Sequence, residues 1–190
     1  MVDSGQRSTV NNQGQLPEPA VARAWGALDT VMDPEVPVLS IVELGIVREV
    51  GADSTGRKIT VTITPTYSGC PAMRVIEAEM TVALEGAGFG EVVVKTVYAP
   101  AWTTDWMSEA ARQKLLGYGI APPGPAGPAP PVALEPPSRG SAEGSSRRPI
   151  ACPFCGSADT TIVSEFGATA CKSLHLCRGC RQPFEHFKAF

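Results

Sequence analysis

The chain has 190 residues, of which 43% are hydrophobic, and a formal net charge of −3 at pH 7. This length suits one ordinary domain and a smaller one, and the negative charge argues against nucleic acid or an anionic membrane surface as a partner. No apolar run reaches the roughly 18 residues that a membrane-spanning helix requires, and residues 1–15 lack the apolar core of a secretion signal, so we expect a cytoplasmic protein.

The first predicted element is a helix that follows a polar lead-in. Residues 1–19 are expected to be disordered. A helix is predicted at 20–32 because apolar residues recur there at helical spacing, and Pro34 ends it, since the residue before a proline is driven out of the α region. Four residues are expected on its buried face: Val21, Trp25, Leu28 and Met32.

Two predicted strands follow as a hairpin. They lie at about 46–50 and 58–64, separated by a run of turn-forming residues. In the second strand Ile59, Val61 and Ile63 alternate with polar residues. This period of two predicts an antiparallel pair with one solvated face.

A turn at 64–71 leads from this hairpin into a helix at about 71–85, and a third strand is predicted at 92–98. Strand, helix and strand in this order predict a crossover that sets the third strand parallel to the second. A last helix, capped by Thr103 or Thr104, follows and ends near residue 116.

The predicted fold class is therefore α+β. Residues 20–120 form a domain with a small sheet, a hairpin and a β-α-β crossover, covered by helices. Residues 121–149 contain nine prolines and four glycines, which predicts an extended linker. Residues 150–190 form a second module, with short strands expected at 160–164 and 173–176.

The second module carries two Cys-x-x-Cys pairs, Cys152 with Cys155 and Cys177 with Cys180, which are 21 residues apart. This spacing is typical of a zinc ribbon, in which four thiolates surround one ion. A closed shell of four thiolates is structural, because it leaves no position for a substrate. A thiol redox pair or disulfides are the alternatives, and iron could occupy the same four ligands.

The fifth cysteine of the module, Cys171, is interpreted either as a small buried residue or as an extra thiol beside the metal. His175 and His186 could replace a ligand, but with four cysteines present they are expected in packing or at the surface. Three aromatic residues near the end of the chain are expected in the small core or in a docking patch: Phe184, Phe187 and Phe190.

Cys70 is the candidate functional residue of the first domain. It stands at a predicted helix N-terminus, where the partial positive charge favours a thiolate. A thiolate there could ligate iron or zinc, or attack an electrophile, whereas the alternative is a buried cysteine in a tight turn. Asp33, Glu35 and Glu43 could supply carboxylates nearby, or could serve as caps and solvated loop residues.

These residues resemble two known families. Asp33-Pro34-Glu35, the run 41–47 (Ile-Val-Glu-Leu-Gly-Ile-Val) and Gly69-Cys70-Pro71 resemble the metal–sulfur cluster assembly factor domain, over about residues 20–118. The cysteine pairs, the Thr-Ala-Cys-Lys run that ends at Lys172 and the Arg-x-Pro-Phe-x-x-Phe-Lys run that ends at Lys188 resemble the tail of the PaaD (PaaJ) family. Its members are accessory subunits of bacterial phenylacetyl-CoA epoxidase systems.

The resemblance implies a non-catalytic role in aerobic phenylacetate degradation. It implies help in maturing or delivering an iron–sulfur or iron centre to the oxygenase or to its iron–sulfur/flavin reductase, which would be the partners. By position, Cys70 would be the ligand of a transient cluster or iron, with Asp33 and Glu35 in the neighbouring motif. Zinc would be structural in the ribbon.

Other functions remain open from the sequence. The chain could be a docking subunit with no transferable metal. A thiol enzyme is disfavoured because no base or orienting residue is evident beside the cysteine. A nucleic-acid-binding ribbon is disfavoured by the acidic chain. A homodimer is also left open.

Overall fold

The structure, a computed structural model, describes residues 19–67, 69–125 and 150–190. The chain divides into two compact units, with the boundary between Tyr118 and Gly119. The predicted lead-in, apart from Pro19, and most of the predicted linker lie outside the described residues. No helix among the described residues is long and apolar enough to cross a membrane.

The first unit is built on a three-stranded sheet with the order β1-β2-β3. Strands β1 (Val47–Ala52) and β2 (Lys58–Ile63) pair antiparallel, and β2 pairs parallel with β3 (Glu91–Thr96). Helix α2 (Ala72–Gly86) connects β2 to β3. The hairpin, the parallel crossover and the α+β class are thus confirmed. The three apolar residues that alternate along β2 are all fully buried, because their side chains point to the face of the sheet that packs in the core.

Helix α1 (Pro19–Leu28) ends four residues earlier than predicted. The chain leaves the helix after Leu28 because Met32 pairs with Ser40 in an isolated antiparallel bridge. The buried positions of α1 are Ala20, Ala24 and Leu28. The prediction of Leu28 on the buried face is confirmed, whereas the other two buried positions lie one residue before the predicted Val21 and Trp25, and Trp25 is only half buried.

The last helix of the first unit is interrupted near its start. A short 3₁₀ turn (Thr104–Trp106) comes first, and Thr103 caps it by accepting from the Asp105 N–H. Helix α3 (Glu109–Gly117) then begins at a different cap, because the Ser108 hydroxyl accepts from the Ala111 N–H at 3.0 Å. The sequence prediction of one continuous helix capped by a threonine was wrong in this respect.

The second unit is a four-stranded sheet with the order β4-β7-β6-β5. Strand β5 (Thr160–Ser164) was predicted, and β6 (Lys172–Cys177) includes the other predicted strand. The sheet also contains β7 (Pro183–Phe187) and the two-residue β4 (Ile120–Ala121), which runs parallel to β7.

Candidate metal centre

Two tight turns of the second unit present the four paired cysteines. In the first turn the Gly156 N–H donates to the Cys152 carbonyl at 2.8 Å, with Gly156 at a φ of 73°. The second turn follows β6, where the Cys180 N–H donates to Cys177 Sγ at 3.5 Å. The chain leaves this second turn through Arg181, which has a φ of 61°. This is a left-handed backbone conformation that residues other than glycine rarely adopt.

The four sulfur atoms converge on one point. Every Sγ lies within 4.8 Å of the others. Across the two turns, Cys152 Sγ is 3.7 Å from Cys180 Sγ, and Cys155 Sγ is 3.6 Å from Cys177 Sγ. A tetrahedral zinc ion with Zn–S bonds of about 2.3 Å separates its sulfur ligands by about 3.8 Å. The residues therefore fit a structural zinc ion, as the sequence spacing predicts.

Thiols this close together cannot ionise independently. The hydrogen bond from the Cys180 N–H, aided by the neighbouring thiols and opposed by burial, lowers the pKa of Cys177 to about 7. For Cys180, a hydrogen bond from the Gln182 backbone lowers the pKa, but burial and the adjacent thiols outweigh it and raise the value to about 12. A zinc ion that binds here must therefore displace protons, so its affinity falls in acid.

Cys171 lies outside this group of sulfur atoms. It is buried, and its Sγ is 3.0 Å from the Thr169 hydroxyl. Its carbonyl accepts from the Lys188 N–H, which ties the start of β6 to the end of β7. The role of an extra thiol beside the metal stays a prediction.

The two histidines lie in neighbouring strands, His175 in β6 and His186 in β7. His175 Nε2 lies 3.0 Å from Ser173 Oγ, and the ring of His175 stacks on Phe184. His186 Nδ1 lies 3.4 Å from the same hydroxyl. Burial, together with the charges of His175 and Lys188, lowers the pKa of His186 to about 4. Among the described residues neither histidine joins a metal-binding group.

Cys70 lies immediately before α2, as predicted. It is half buried, and its carbonyl accepts from the Met73 N–H in the first turn leading into α2. Gly69 precedes it at a φ of 87°. The thiol forms no hydrogen bond with another described residue. Thr64, at the start of the same turn, has a buried hydroxyl with no hydrogen-bond partner among the described residues, a costly arrangement that proteins rarely retain.

The sheet brings the segments around Cys70 to one end. Val47 pairs with Ile63, and Ile63 pairs with Thr96, so β1 begins where β2 and β3 end. The Thr64 N–H donates to the Ile46 carbonyl at 2.9 Å. The segments on both sides of these strand ends therefore meet at the edge from which the turn at 64–71 departs.

The carboxylate of Asp33, predicted near Cys70, has structural partners of its own. Asp33 Oδ1 accepts from the Glu35 and Val36 N–H groups at 2.7 and 2.9 Å, which fixes the turn after Asp33. Among the described residues, Cys70, Asp33 and Glu35 do not form a group whose ligand atoms converge on one ion. Their role as cluster ligands stays a prediction.

Glu43 is part of a hydrogen-bonded box, which agrees with the capping role that the sequence left open for it. Its Oε2 accepts from the Ser40 N–H, and the Ser40 hydroxyl accepts from the Glu43 N–H. Lys114 Nζ lies 2.7 Å from Glu43 Oε1. Burial raises the pKa of Glu43, but the Lys114 and Ser40 hydrogen bonds outweigh it and lower the net value. The Ser-x-x-Glu spacing is the signal that could have found this box.

A tryptophan from beyond β3 completes this end of the first unit. Trp102 Nε1 donates to the Leu44 carbonyl at 3.1 Å, and Trp106 packs against Gly45, where an added Cβ would lie 2.7 Å from the Trp106 carbonyl oxygen. The loop that precedes β1 is thus held from both sides. No local sequence pattern predicts these contacts.

Comparison with known proteins finds two family profiles in this chain. Residues 22–96 match the iron-sulfur cluster assembly protein family, and residues 136–188 match the PaaD zinc beta ribbon domain. The two matches fall in the two units of the structure in the order that the sequence motifs predict.

Two curated proteins and one solved structure are also similar. The chain is 44% identical over 170 residues to an Escherichia coli K12 protein assigned to the 1,2-phenylacetyl-CoA epoxidase as one of its subunits, covering 90% of this chain and 93% of the relative. It is 39% identical over 86 residues to the Staphylococcus aureus Fe-S protein maturation auxiliary factor SufT, covering 45% of this chain and 96% of that protein. A Bacillus anthracis domain of unknown function, DUF59, covers 50% of this chain and 89% of its own, at 31% identity and a TM-score of 0.47.

Proposed function

We propose that this chain is a non-catalytic accessory subunit of a 1,2-phenylacetyl-CoA epoxidase system in the cytoplasm. The chain belongs to the PaaD family, together with the Escherichia coli protein assigned to such an epoxidase. It assists the maturation or delivery of an iron–sulfur or iron centre to the oxygenase or its reductase. The observation that carries the proposal is the union, in one chain, of an iron–sulfur assembly domain with the ribbon of this family.

In this proposal Cys70 is the ligand that holds the cargo. Its support is geometric: the thiol is half buried at the entrance to α2, and no other described residue engages it by a hydrogen bond. Cys70 directly precedes Pro71, the N-cap residue of α2, so it lies at the N-terminal end of that helix. One protein thiolate leaves most positions of an iron or a cluster open to other ligands, as transfer to a recipient requires. The proposal keeps Asp33 and Glu35 as further candidate ligands, and Asp33 Oδ1 orders its own turn by accepting from the Glu35 and Val36 N–H groups.

The zinc ion of the ribbon has a different role. When bound by the four cysteines it supplies folding free energy to a module too small to fold on a hydrophobic core alone. The four thiolates fill its coordination shell, so the proposal assigns no transfer step to this site.

The test is anaerobic loading of the full-length protein with ferrous iron and sulfide, followed by removal of unbound metal and analysis of zinc, iron and sulfide. Cys70→Ser is compared with wild type and with the matched control Cys171→Ser, which changes a cysteine outside the four-thiol group. About one zinc ion per chain is expected in all three proteins. Iron and sulfide should remain with wild type and Cys171→Ser and be lost from Cys70→Ser.

The second candidate function is a docking subunit with no transferable metal. It is favoured by the apolar side chains that the ribbon exposes along β5 and the turn after it. If all three proteins, wild type included, retained zinc but no iron or sulfide, the docking function would be supported and the delivery of metal would be refuted.

A further inference from the structure

The ribbon exposes large apolar side chains close together in sequence. Phe166 is 66% exposed, Val163 57% and Ile162 43%, all within five residues. By contrast, two of the tail aromatics considered from the sequence as a docking patch, Phe184 and Phe187, are buried in the ribbon. Single exposed apolar residues are ordinary in proteins, but a run of them on so small a module points to an interaction surface.

The loop that carries Phe166 is held in one conformation. The Phe166 N–H donates to Ser164 Oγ at 3.2 Å, and the Gly167 N–H donates to the Lys172 carbonyl at 2.8 Å. The Ala168 N–H donates to Glu185 Oε1 at 2.7 Å.

Gly167 shows how tightly this loop is packed. A Cβ added there would lie 2.5 Å from Glu185 Oε1, the oxygen that accepts from the Ala168 N–H, so the loop backbone lies directly against this side chain. A loop whose backbone is already ordered by hydrogen bonds loses little further backbone entropy when a partner covers it, and aromatic side chains are common among residues that dominate binding.

A cation accompanies this ring. Lys188 Nζ lies 4.5 Å from the centroid of the Phe166 ring, within the range of a cation–π contact. Among the described residues no carboxylate lies within ion-pair distance of Lys188. The surface therefore offers an apolar ring with a positive charge beside it, and its complement is an apolar pocket with a carboxylate at the rim.

We propose that Phe166 and Lys188, at the end of the exposed run that begins in β5, form a docking surface, here called the β5 patch, for a protein partner with an apolar pocket rimmed by acidic residues. Phe166 is the anchor, and Lys188 selects the acidic rim. The inference rests on the proposed function only in taking the components of the epoxidase system as the partners to be probed.

The experiment measures binding of the full-length, zinc-loaded protein to the purified oxygenase and, separately, to the purified reductase of its own epoxidase system. Phe166→Ala is compared with wild type and with Phe154→Ala, which removes another exposed aromatic ring from the same ribbon. Lys188→Glu tests the charge. Zinc content and the circular dichroism of each variant report whether the ribbon is folded.

Phe166→Ala should weaken binding to one component at least about tenfold, the effect of a residue at the centre of an interface. Lys188→Glu should also weaken it, and raising the salt concentration should weaken wild-type binding and reduce the difference between the two proteins. Phe154→Ala should bind as wild type does.

Three results would overturn the β5 patch: wild type binding neither component, Phe166→Ala binding as wild type does, or Phe154→Ala losing as much affinity. None of these depends on iron at Cys70, because Cys70→Ser should keep wild-type affinity. A Cys70→Ser protein that binds its component but retains no cargo would separate docking from metal delivery. Loss of binding in that variant would be a fourth result against the patch, because the anchor would then lie outside the ribbon.

Discussion

A buried ion pair supports the loop of the β5 patch, and removing its negative charge should weaken the whole ribbon. Lys172 Nζ lies 2.8 Å from Glu185 Oε2, with the lysine side chain 5% exposed and the glutamate 24%. Burial raises the pKa of Glu185, but the Lys172 and Ala168 hydrogen bonds and the lysine charge together lower it below its usual value. The carboxylate is therefore ionised at neutral pH.

Glu185→Gln keeps the shape of the side chain but leaves a buried ammonium group without this counter-charge. Breaking a fully buried pair from one side costs about 3–5 kcal/mol. Because Glu185 is partly exposed and a glutamine oxygen can still accept from Ala168, about 2–3 kcal/mol is expected. Lys172→Met with Glu185→Gln removes both charges, and this double variant should recover more than half of the loss.

The apparent zinc affinity is the suitable assay. A chelator that removes zinc should unfold residues 150–190 and leave the first unit folded, because metal binding supplies the folding energy of so small a module. A loss of about 2–3 kcal/mol then appears as a 30- to 150-fold weaker apparent zinc affinity, at about 1.4 kcal/mol per factor of ten. Competition with a chromophoric chelator measures it directly.

The matched control is Asp159→Asn, which breaks an exposed pair with Arg178 in the same ribbon. Exposed pairs contribute about 0–1 kcal/mol, so this variant should change the zinc affinity by only a few fold. The reasoning fails if Glu185→Gln changes the affinity no more than Asp159→Asn does, or if the two changes in the double variant simply add.

Three further predictions concern single residues. The pKa of His186 is about 4 in the folded ribbon and ordinarily 6.5. The unfolded state therefore binds more protons between these pH values, and the stability of the ribbon falls as the pH drops through that window, by at most about 3 kcal/mol. In denaturation series from pH 7 to 4, His186→Gln should lose less stability than wild type, and equal slopes for the two proteins would contradict this. Thr64→Val removes a buried hydroxyl without a partner among the described residues and should raise the unfolding free energy of the first unit by about 1 kcal/mol, whereas a lower value by urea denaturation would mean that the hydroxyl is engaged. Gly45→Ala should destabilise the first unit by at least about 1–3 kcal/mol, because Gly45 has a φ of 73° and the new Cβ would meet Trp106. Gly26 lies in α1 with open space around it, so Gly26→Ala should instead stabilise the unit by about 0.5–1 kcal/mol. Equal melting temperatures for the two variants would refute the packing argument.

The sequence predicts elements whose patterns are local. The alternation of Ile59, Val61 and Ile63 predicts β2 because one face of that strand is buried and the other is not. The same rule misses β7, since Phe184 pairs with His175 and Phe187 pairs with Lys172 across the sheet. These pairs lie on opposite faces, and both phenylalanines are buried, so no period of two appears.

The candidate sites divide in the same way. The four ribbon cysteines can be recognised from spacing alone, because each pair forms a turn of its own and the chemistry of the ion supplies the rest. The surroundings of Glu43 cannot be recognised from the sequence, because its partner Lys114 is 71 residues away and only the fold brings the two side chains together. The run from Ile162 to Phe166 is visible in the sequence, but its exposure depends on β5 lying at the edge of the sheet.

The short strand β4 shows that the ribbon unit begins before the proline-rich region. Ala121 pairs with His186 and packs in a cluster with Cys152, Cys177 and Phe184, while Ile150 packs against the same cluster. The ribbon unit therefore takes one edge strand from the chain before the proline-rich region and its other strands from residues 150–190. A fragment that begins at residue 150 would lack β4 and would leave the cluster of Cys152, Cys177 and Phe184 without Ala121.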